Sequence, residues 1–342
     1  MKILFNTYQL AFQHPGGGEV VILKLKEHLE SLGHSVDLFD KWQHKISDYE
    51  LIHDFACIDW EIWKYYSDLK IPFVLTPTAW PKIDPLTTLK TTFKAKLKAM
   101  FQNNTPPFSL YHYIALPDVI CPTTSLEKER LMLAFSEKRA EKFTVIPNGV
   151  ELPSENLKSD TSLSKKLGDT PFCLFVGNLA PNKNPLRAIE MAKAQKIKIF
   201  LIGDHKEENI EYYQQLKKHE SPEVVFLGRL THDSELLKSA YQKAEAILIP
   251  SNFETCSLVA LEAGVHGTPV VITKEGGTTE IFKNQVQYIA PTDLEDCIEG
   301  LRMALLKKGF DQELKDFISS EYSWRSIARR YEKIYRELLR AR

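Results

Sequence analysis

The chain has 342 residues with ordinary hydrophobic (43%) and charged (26%) fractions, and this length predicts about two domains. Its 44 basic and 45 acidic residues give a net charge of -1, which argues against nucleic acid as a partner and leaves any membrane contact to a local patch. The five cysteines form no close pair, and no apolar run approaches about 18 residues, so we expect neither a disulfide framework nor a transmembrane helix, and a cytoplasmic location.

The first half of the chain alternates between strand and helix patterns. Residues 1–5 form an apolar run too short for a signal peptide and predict a first strand, which a glycine loop and a helix ending at Gly33 follow. Further strands are predicted at residues 35–39, 51–53, 72–76, 118–121 and 143–146, with helices at 59–69 and 125–136. This alternation predicts an α/β domain with a parallel sheet over residues 1–150.

The glycine loop consists of Gly16, Gly17 and Gly18. Its glycines either let a ligand approach the backbone closely or merely turn the chain, and three glycines do not decide between these interpretations. The loop lacks the G-x-G-x-x-G spacing of the dinucleotide-binding fingerprint.

A basic amphipathic helix is predicted between Asp84 and Asp118, where no acid occurs and apolar residues recur at helical spacing. Its lysines are Lys90, Lys94, Lys96 and Lys98. Such a helix could lie on an anionic membrane surface, at the inner face of the membrane, and present a lipid-linked acceptor. The alternative is a packed helix whose lysines are simply solvated.

The second half repeats the alternation after a polar segment at residues 151–170 that predicts a linker. Strands are predicted at residues 172–176, 197–202, 224–227, 246–249, 269–273 and 286–289, with helices at 185–194, 209–219 and 234–242. A second α/β domain is therefore expected over residues 171–321. The segment 322–342 contains a last helix with apolar residues at a period of 3.6.

The stretch from Pro250 to Val271 combines a strand exit, a turn, a helix and a second strand around two glutamates, Glu254 and Glu262. The helix opens with its positive dipole end, which suits a phosphate. The backbone N–H groups expected there belong to Thr255, Cys256, Ser257 and Leu258. Glu254, before the helix, could hold a sugar, and Glu262, two turns inside, could accept hydrogen bonds from ribose hydroxyls.

The alternative is that Glu254 is a turn residue and Glu262 a solvated helix position, which is the commoner fate of a single glutamate. The small residues Ala260, Ala263 and Gly264 and the apolar flanking strands instead predict a closely packed helix with a sheltered Glu262.

This stretch resembles the Glu-x7-Glu motif of retaining glycosyltransferases with the GT-B fold. The sequence around the motif is similar to that of glycosyltransferase family 4. Residues 250–251, 262–263, 267–271 and 276–277 carry the resemblance. It implies two Rossmann-like domains that face each other across a cleft. It also implies an N-terminal acceptor domain, a C-terminal nucleotide-sugar donor domain, and a last helix that crosses back onto the N-terminal domain.

The resemblance also implies site residues. Gly177 and Lys183 match the family's Gly-Arg-Leu…Lys element, whose cations hold the diphosphate, whereas Asn178 replaces the arginine and removes one positive charge. The family's glycine loop faces the donor's phosphate, which implies Gly16 to Gly18. Where the family often has a histidine near the sugar, this chain has Thr78; His53 is a substitute, although such a histidine is more often structural.

Together these features predict a retaining glycosyltransferase that moves a sugar from a UDP- or GDP-linked donor to a glycan, glycolipid or other acceptor, in surface polysaccharide or glycoconjugate biosynthesis. Glu254 and Lys183 are the predicted catalytic residues. We expect no cofactor and no metal, because the sequence has neither an Asp-x-Asp spacing nor a histidine or cysteine cluster. The alternatives are a catalytically silent nucleotide or sugar binder, which the missing arginine and histidine favour, and a GT-B sugar-nucleotide epimerase.

Overall fold

In a computed structural model the chain forms two compact units: unit 1 (Met1–Asn148 with Trp324–Arg342) and unit 2 (Gly149–Ser323). The structure describes residues 1–13, 16–56, 60–77, 115–135, 137–153, 167–168, 170–232, 234–307 and 309–341. Thr78 and the lysines of the predicted basic helix (Lys90, Lys94, Lys96 and Lys98) lie outside these ranges, so their roles stay predictions. Within these ranges, no helix is long and apolar enough to cross a membrane.

Unit 1 contains a parallel five-stranded sheet with the order β2-β1-β3-β4-β5. The strands are β1 (Lys2–Thr7), β2 (Ser35–Leu38), β3 (Leu51–Phe55), β4 (Phe73–Thr76) and β5 (Val119–Ile120). The helices are α1 (Gly17–Ser31), α2 (Trp60–Leu69), α3 (Ser125–Phe135) and the C-terminal helix (Trp324–Arg340), with 3₁₀ turns at Ile46–Asp48 and Ala140–Lys142. The predicted strand at residues 143–146 is wrong, because Phe143 makes only an isolated bridge to Ile120.

The C-terminal helix packs against α1 in unit 1 and confirms the predicted return of the chain to the N-terminal half. Its apolar face, which includes Trp324, Ile327 and Tyr335, is buried in the same cluster as the inner residues of β1 and β3. Burial of this face removes a large apolar surface from water, at about 25 cal/mol per Å². The helix is therefore part of the unit 1 core.

Unit 2 contains a parallel six-stranded sheet with the order β11-β10-β9-β6-β7-β8. The strands are β6 (Phe172–Val176), β7 (Lys198–Ile202), β8 (Val224–Gly228), β9 (Ala246–Ile249), β10 (Val270–Thr273) and β11 (Gln287–Ile289). The helices are α4 (Pro185–Ala194), α5 (Ile210–Lys217), α6 (Glu235–Lys243), α7 (Leu258–Val265), α8 (Thr278–Phe282), α9 (Leu294–Leu305) and α10 (Gln312–Tyr322), with a 3₁₀ turn at Glu207–Asn209.

The order of unit 2 reverses between β6 and β9, which are neighbours in the sheet although two strands separate them along the chain. From β6 the chain builds outward to β8, then returns to β9 on the other side of β6. At such a reversal the loops that leave the two strands diverge and open a crevice at the carboxyl edge, which is the usual ligand site of open α/β sheets. The loops after β6 and β9 are therefore the expected location of a ligand-binding site.

Glu127 gives unit 1 a pH-dependent stability that can be measured. This carboxyl is 2% exposed in the first turn of α3, and its Oε2 accepts hydrogen bonds from the Thr123 amide (2.7 Å) and hydroxyl (2.8 Å). Burial raises the pKa of Glu127 to about 7, against the opposing effect of both hydrogen bonds. The folded protein thus binds this proton more tightly than the unfolded chain, so the contribution is complete at low pH and is lost as pH rises toward 7.

We therefore expect Glu127→Gln to flatten the pH dependence of stability. Between pH 5.0 and 7.5 the wild type should lose about 1–3 kcal/mol of unfolding free energy more than the variant loses. Urea unfolding at the two pH values measures this difference. Parallel changes in the two proteins would show that the buried carboxyl does not take up a proton in this range.

Candidate functional site

An ion pair lies at the reversal point of the unit 2 sheet. Lys183, in the loop after β6, donates from Nζ to Glu254 Oε1 at 2.6 Å, and Glu254 belongs to the loop after β9. The Ser251 hydroxyl donates to the same oxygen at 2.7 Å. The Glu254 side chain is buried (8% exposed) and the Lys183 side chain is 33% exposed, so solvent reaches the pair from the lysine side. The structure thus brings together the two predicted catalytic residues.

Direct hydrogen bonds hold the two loops of this pair together. The Asn252 amide N–H donates to Asn182 O at 2.9 Å, and the Asn252 side chain donates to Pro181 O at 3.3 Å. Asn184 follows in a left-handed conformation (φ 53°) and occupies the position before the first residue of α4. The backbone is therefore fixed on both sides of Lys183, and this limits the freedom of the lysine side chain.

A third loop, after β10, fixes the backbone of Glu254. The Glu254 N–H donates to Glu275 O at 3.1 Å, and the Gly277 N–H donates to Glu254 O at 2.9 Å. Between these bonds Gly276 has φ +110°, and a Cβ there would lie 1.9 Å from Glu254 O. Only glycine is compatible with this approach, so the glycine pair of the sequence motif serves to anchor Glu254.

Helix α7 begins at Leu258, shortly after Glu254, and its N-terminus lies at the same edge of the sheet. The N–H groups of its first turn have no partner inside the helix and carry the positive end of its dipole. Ser257, the residue before the helix, has φ 48° and ψ 84°, a conformation that non-glycine residues rarely adopt outside functional sites. Cys256 is buried, so its backbone N–H and not its thiol is the group predicted to contact a phosphate. Thr255 and Leu258 are half-buried.

Glu262 is sheltered, as predicted, with 16% of its side chain exposed. Its Oε2 accepts a hydrogen bond from the Tyr241 hydroxyl at 2.8 Å, and its Oε1 lies 3.2 Å from His232 Nδ1. Burial raises the pKa of Glu262, and His232 and Tyr241 partly oppose this effect. The interpretation as a solvated helix position does not hold. Sequence reasoning missed both partners, and no motif in the sequence marks them.

Gly177 and Asn178 directly follow β6. Gly177 has φ +152°, and its N–H donates to Ile202 O at 2.9 Å. Its carbonyl lies so close to Gly203 that a Cβ on Gly203 would be 1.8 Å away, so two glycines allow these neighbouring loops to meet. Asn178, at the position of the family's arginine, is exposed.

The glycine loop belongs to unit 1 and opens α1. The Gly16 N–H donates to Glu19 Oε2 at 2.8 Å, and the Tyr8 hydroxyl donates to the other oxygen of Glu19. Gly16 is extended, Gly17 and Gly18 are the first residues of the helix, and a Cβ on Gly18 would meet no atom within 4 Å. Neither turn geometry nor crowding requires glycine at Gly18, and the phosphate role of this loop stays a prediction.

His53 lies in the core of unit 1 and not at an open surface. Its Nδ1 is 2.6 Å from the Tyr335 hydroxyl and its Nε2 is 2.8 Å from Thr76 Oγ1, which in turn is 3.0 Å from the Tyr331 hydroxyl. Burial lowers the pKa of His53 well below its ordinary value, so the ring is neutral. Both ring nitrogens are engaged, and this corrects the suggestion that His53 contacts a sugar.

The second half of the chain matches a known protein family. Residues 160–324, just under half of the chain, match the family described as glycosyl transferases group 1. An uncharacterized glycosyltransferase, MJ1607, of Methanocaldococcus jannaschii is 30% identical over 241 residues (64% of this chain, 59% of that protein). A lipopolysaccharide 1,2-N-acetylglucosaminetransferase of Salmonella typhimurium is 26% identical over 249 residues (64% and 62%). The chain thus spans about three fifths of the length of these curated relatives.

Solved structures resemble the whole chain. Anabaena Alr3699/HepE, in complex with UDP, has a TM-score of 0.74 at 18% identity over 98% of this chain and 100% of that chain. Sucrose-phosphate synthase of Thermosynechococcus elongatus has a TM-score of 0.72 at 18% identity over all of both chains. The chain therefore has the GT-B fold, and residues 160–324 match the description glycosyl transferases group 1.

Proposed function

We propose that this protein is a metal-independent, retaining glycosyltransferase that takes its sugar from a nucleotide-diphosphate donor. The observation that carries the proposal is the pair of Lys183 and Glu254 at the reversal point of the unit 2 sheet, next to the N-terminus of α7. A cation, a carboxylate and the backbone N–H groups at a helix N-terminus are what a diphosphate with an attached sugar requires. The glycosyl transferases group 1 domain that contains these residues supports the proposal.

In the proposed complex the diphosphate binds between the Lys183 ammonium and the N–H groups of Thr255 to Leu258. A lysine ammonium has three donors, so the bond to Glu254 leaves two for phosphate oxygens. Both contacts described above for the Glu254 carboxylate fall on Oε1, and Oε2 is the oxygen we assign to sugar hydroxyls. Because these groups supply the positive charge, the proposal requires no metal ion. The phosphate role of Gly16, Gly17 and Gly18 remains a prediction from the resemblance.

For the chemical step we propose that the acceptor hydroxyl attacks on the face from which the diphosphate departs. The bond between the anomeric carbon and the diphosphate oxygen breaks as the bond to the acceptor oxygen forms, and the hydroxyl proton passes to the departing diphosphate. The transition state is then oxocarbenium-like, and the leaving oxygen gains negative charge. Lys183 and the α7 dipole stabilise this charge, and such preorganised donors contribute several kcal/mol. Glu254 holds the sugar in register and forms no covalent bond.

For the acceptor we propose a glycan, a glycolipid or another glycoconjugate, bound by the domain of residues 1–150, while residues 171–321 bind the donor. The matched relative from Salmonella typhimurium is a lipopolysaccharide 1,2-N-acetylglucosaminetransferase, which supports a role in surface polysaccharide synthesis. We propose that this synthesis takes place at the cytoplasmic face of a membrane.

A thermal-shift panel of UDP, GDP and ADP tests the donor class. A ligand at a hundred times its Kd adds about 2.7 kcal/mol to stability, so the correct nucleotide is readily detected. We place UDP first because the Anabaena neighbour contains it. Stabilisation without any release of nucleotide from the matching sugar donors and acceptors would favour the catalytically silent binder, and no stabilisation would contradict the proposal.

Glu262 is assigned to the ribose, and its removal should therefore affect the free nucleotide as well as the donor. We expect Glu262→Ala to weaken both by about 1–3 kcal/mol, the range for a hydrogen bond to a charged group. Isothermal titration measures this, with Glu211→Ala as control because Glu211 is exposed on α5. Unchanged nucleotide affinity in a folded Glu262→Ala protein would remove the assignment.

A further inference from the structure

Glu262 is connected to the surface through a histidine outside the sequence motif. His232, in the loop between β8 and α6, places Nδ1 3.2 Å from Glu262 Oε1 and is 37% exposed. Tyr241 of α6 occupies the other oxygen at 2.8 Å and is buried. A buried hydroxyl thus contacts one oxygen of the Glu262 carboxylate, and a solvent-accessible imidazole contacts the other.

We propose that His232 is a positioning residue for the nucleotide: its positive charge keeps the Glu262 carboxylate ionised and oriented toward the ribose, and so extends nucleotide binding to lower pH. This inference rests on the proposed function, in which Glu262 accepts hydrogen bonds from ribose hydroxyls. It adds His232 to the groups that bind the ribose through Glu262, and it states how nucleotide affinity changes with pH.

The physical reason is the cost of the buried charge. Burial raises the pKa of Glu262, and a protonated carboxyl loses part of its capacity to accept two hydroxyl hydrogens. His232 and Tyr241 both lower this pKa again. Burial raises the pKa of Tyr241 well above its ordinary value, so it stays neutral, whereas histidine changes charge between about pH 5 and 8.

Among the described residues, a second histidine near this pair does not account for such a pH dependence. The His266 ring, at the C-terminal end of α7, stacks on Tyr241 with the ring centroids 5.9 Å apart. Burial, with Lys315 of α10 and Lys238 of α6, lowers the pKa of His266 to about 4. His266 is thus neutral above about pH 5, and among the described residues His232 is the imidazole in contact with Glu262.

The test is the pH profile of nucleotide affinity for the full chain, measured by isothermal titration with UDP, or with GDP or ADP if the panel selects it. The proteins are the wild type, His232→Gln, which retains a hydrogen-bond donor without the charge, and His232→Arg, which carries a permanent charge. His219→Gln is the matched control, because His219 is a partly exposed histidine that contacts Lys193 on another face of unit 2.

At pH 8 we expect His232→Gln to bind nearly as well as the wild type. At pH 6 it should bind more weakly, by up to about tenfold, which is the limit set by a rise of one unit in the pH at which binding is lost. His232→Arg should restore the affinity at pH 6, and His219→Gln should follow the wild type throughout. A merely structural histidine would lower affinity equally at all pH values.

Two outcomes overturn the inference in distinguishable ways. If the wild type binds nucleotide and Glu262→Ala weakens it, but the profiles of His232→Gln and the wild type are parallel, His232 has no such role and the proposed function stands. If the wild type binds no nucleotide at any pH, the proposed function fails and this inference fails with it.

Discussion

Glu254→Gln is expected to lower sugar transfer by about 100-fold or more while nucleotide affinity stays close to that of the wild type. Glutamine has the size of glutamate and can still accept the hydrogen bond from Ser251, but it lacks the charge that pairs with Lys183. The sugar then loses its orientation relative to the leaving diphosphate. The nucleotide keeps its orientation, because other groups hold it.

Turnover and product stereochemistry together test this mechanism. NMR of the anomeric carbon should show that the wild-type product keeps the configuration of the donor, and mass spectrometry should find no sugar bound to Glu254. An inverted product or a stable adduct would exclude the proposed step. Glu211→Gln, on an exposed face of α5, is the control for a general effect of removing one carboxylate.

Gly276→Ala should damage the site through the backbone. The alanine Cβ would lie 1.9 Å from Glu254 O, in a residue whose φ of +110° already disfavours side chains. Since the Gly277 N–H bonds that same oxygen, relief of the clash must displace Glu254. We expect a loss of about 2–4 kcal/mol in unfolding free energy and a loss of transfer activity comparable to that of Glu254→Gln.

Gly228→Ala separates the clash from the conformational strain. Gly228 also has a positive φ (+72°) in unit 2, but a Cβ there would meet no atom within 4 Å. It should therefore cost only about 1–2 kcal/mol. Denaturant unfolding compares the two variants, and equal losses would mean that the contact between Gly276 and Glu254 does not limit the site.

The sequence predicts the alternating elements well because buried parallel strands have continuous apolar runs. The strand expected at residues 143–146 fails for a tertiary reason: its neighbour β5 has only two residues, Val119–Ile120, so there is little edge to pair with. Helices α9 and α10 were not predicted, although Asp293 and Asp311 cap them with side-chain hydrogen bonds. Those caps are local signals that the sequence contains.

For the site, the sequence predicts the residues of compact motifs but not the partners that packing brings to them. Glu254 is marked by its glycine pair and the following helix, and Lys183 by its position after β6. Tyr241 and His232 reach Glu262 only because α6 packs beside α7. A single sequence does not specify such a contact between helices, since the pattern of α6 predicts a buried face without naming its neighbour.

The bond between Lys183 and Glu254 joins residues 71 positions apart, and this separation has a consequence for folding. The pair can form only after β6 and β9 have become neighbours, which requires the intervening β7 and β8 segment to be looped out and ordered. Contacts of this sequence separation form late, because the entropy of closing the loop must be overcome first. Nucleotide binding during refolding would thus report the completion of the unit 2 sheet, and a chaperone or partner that engages this unit earlier would encounter a chain without a donor site.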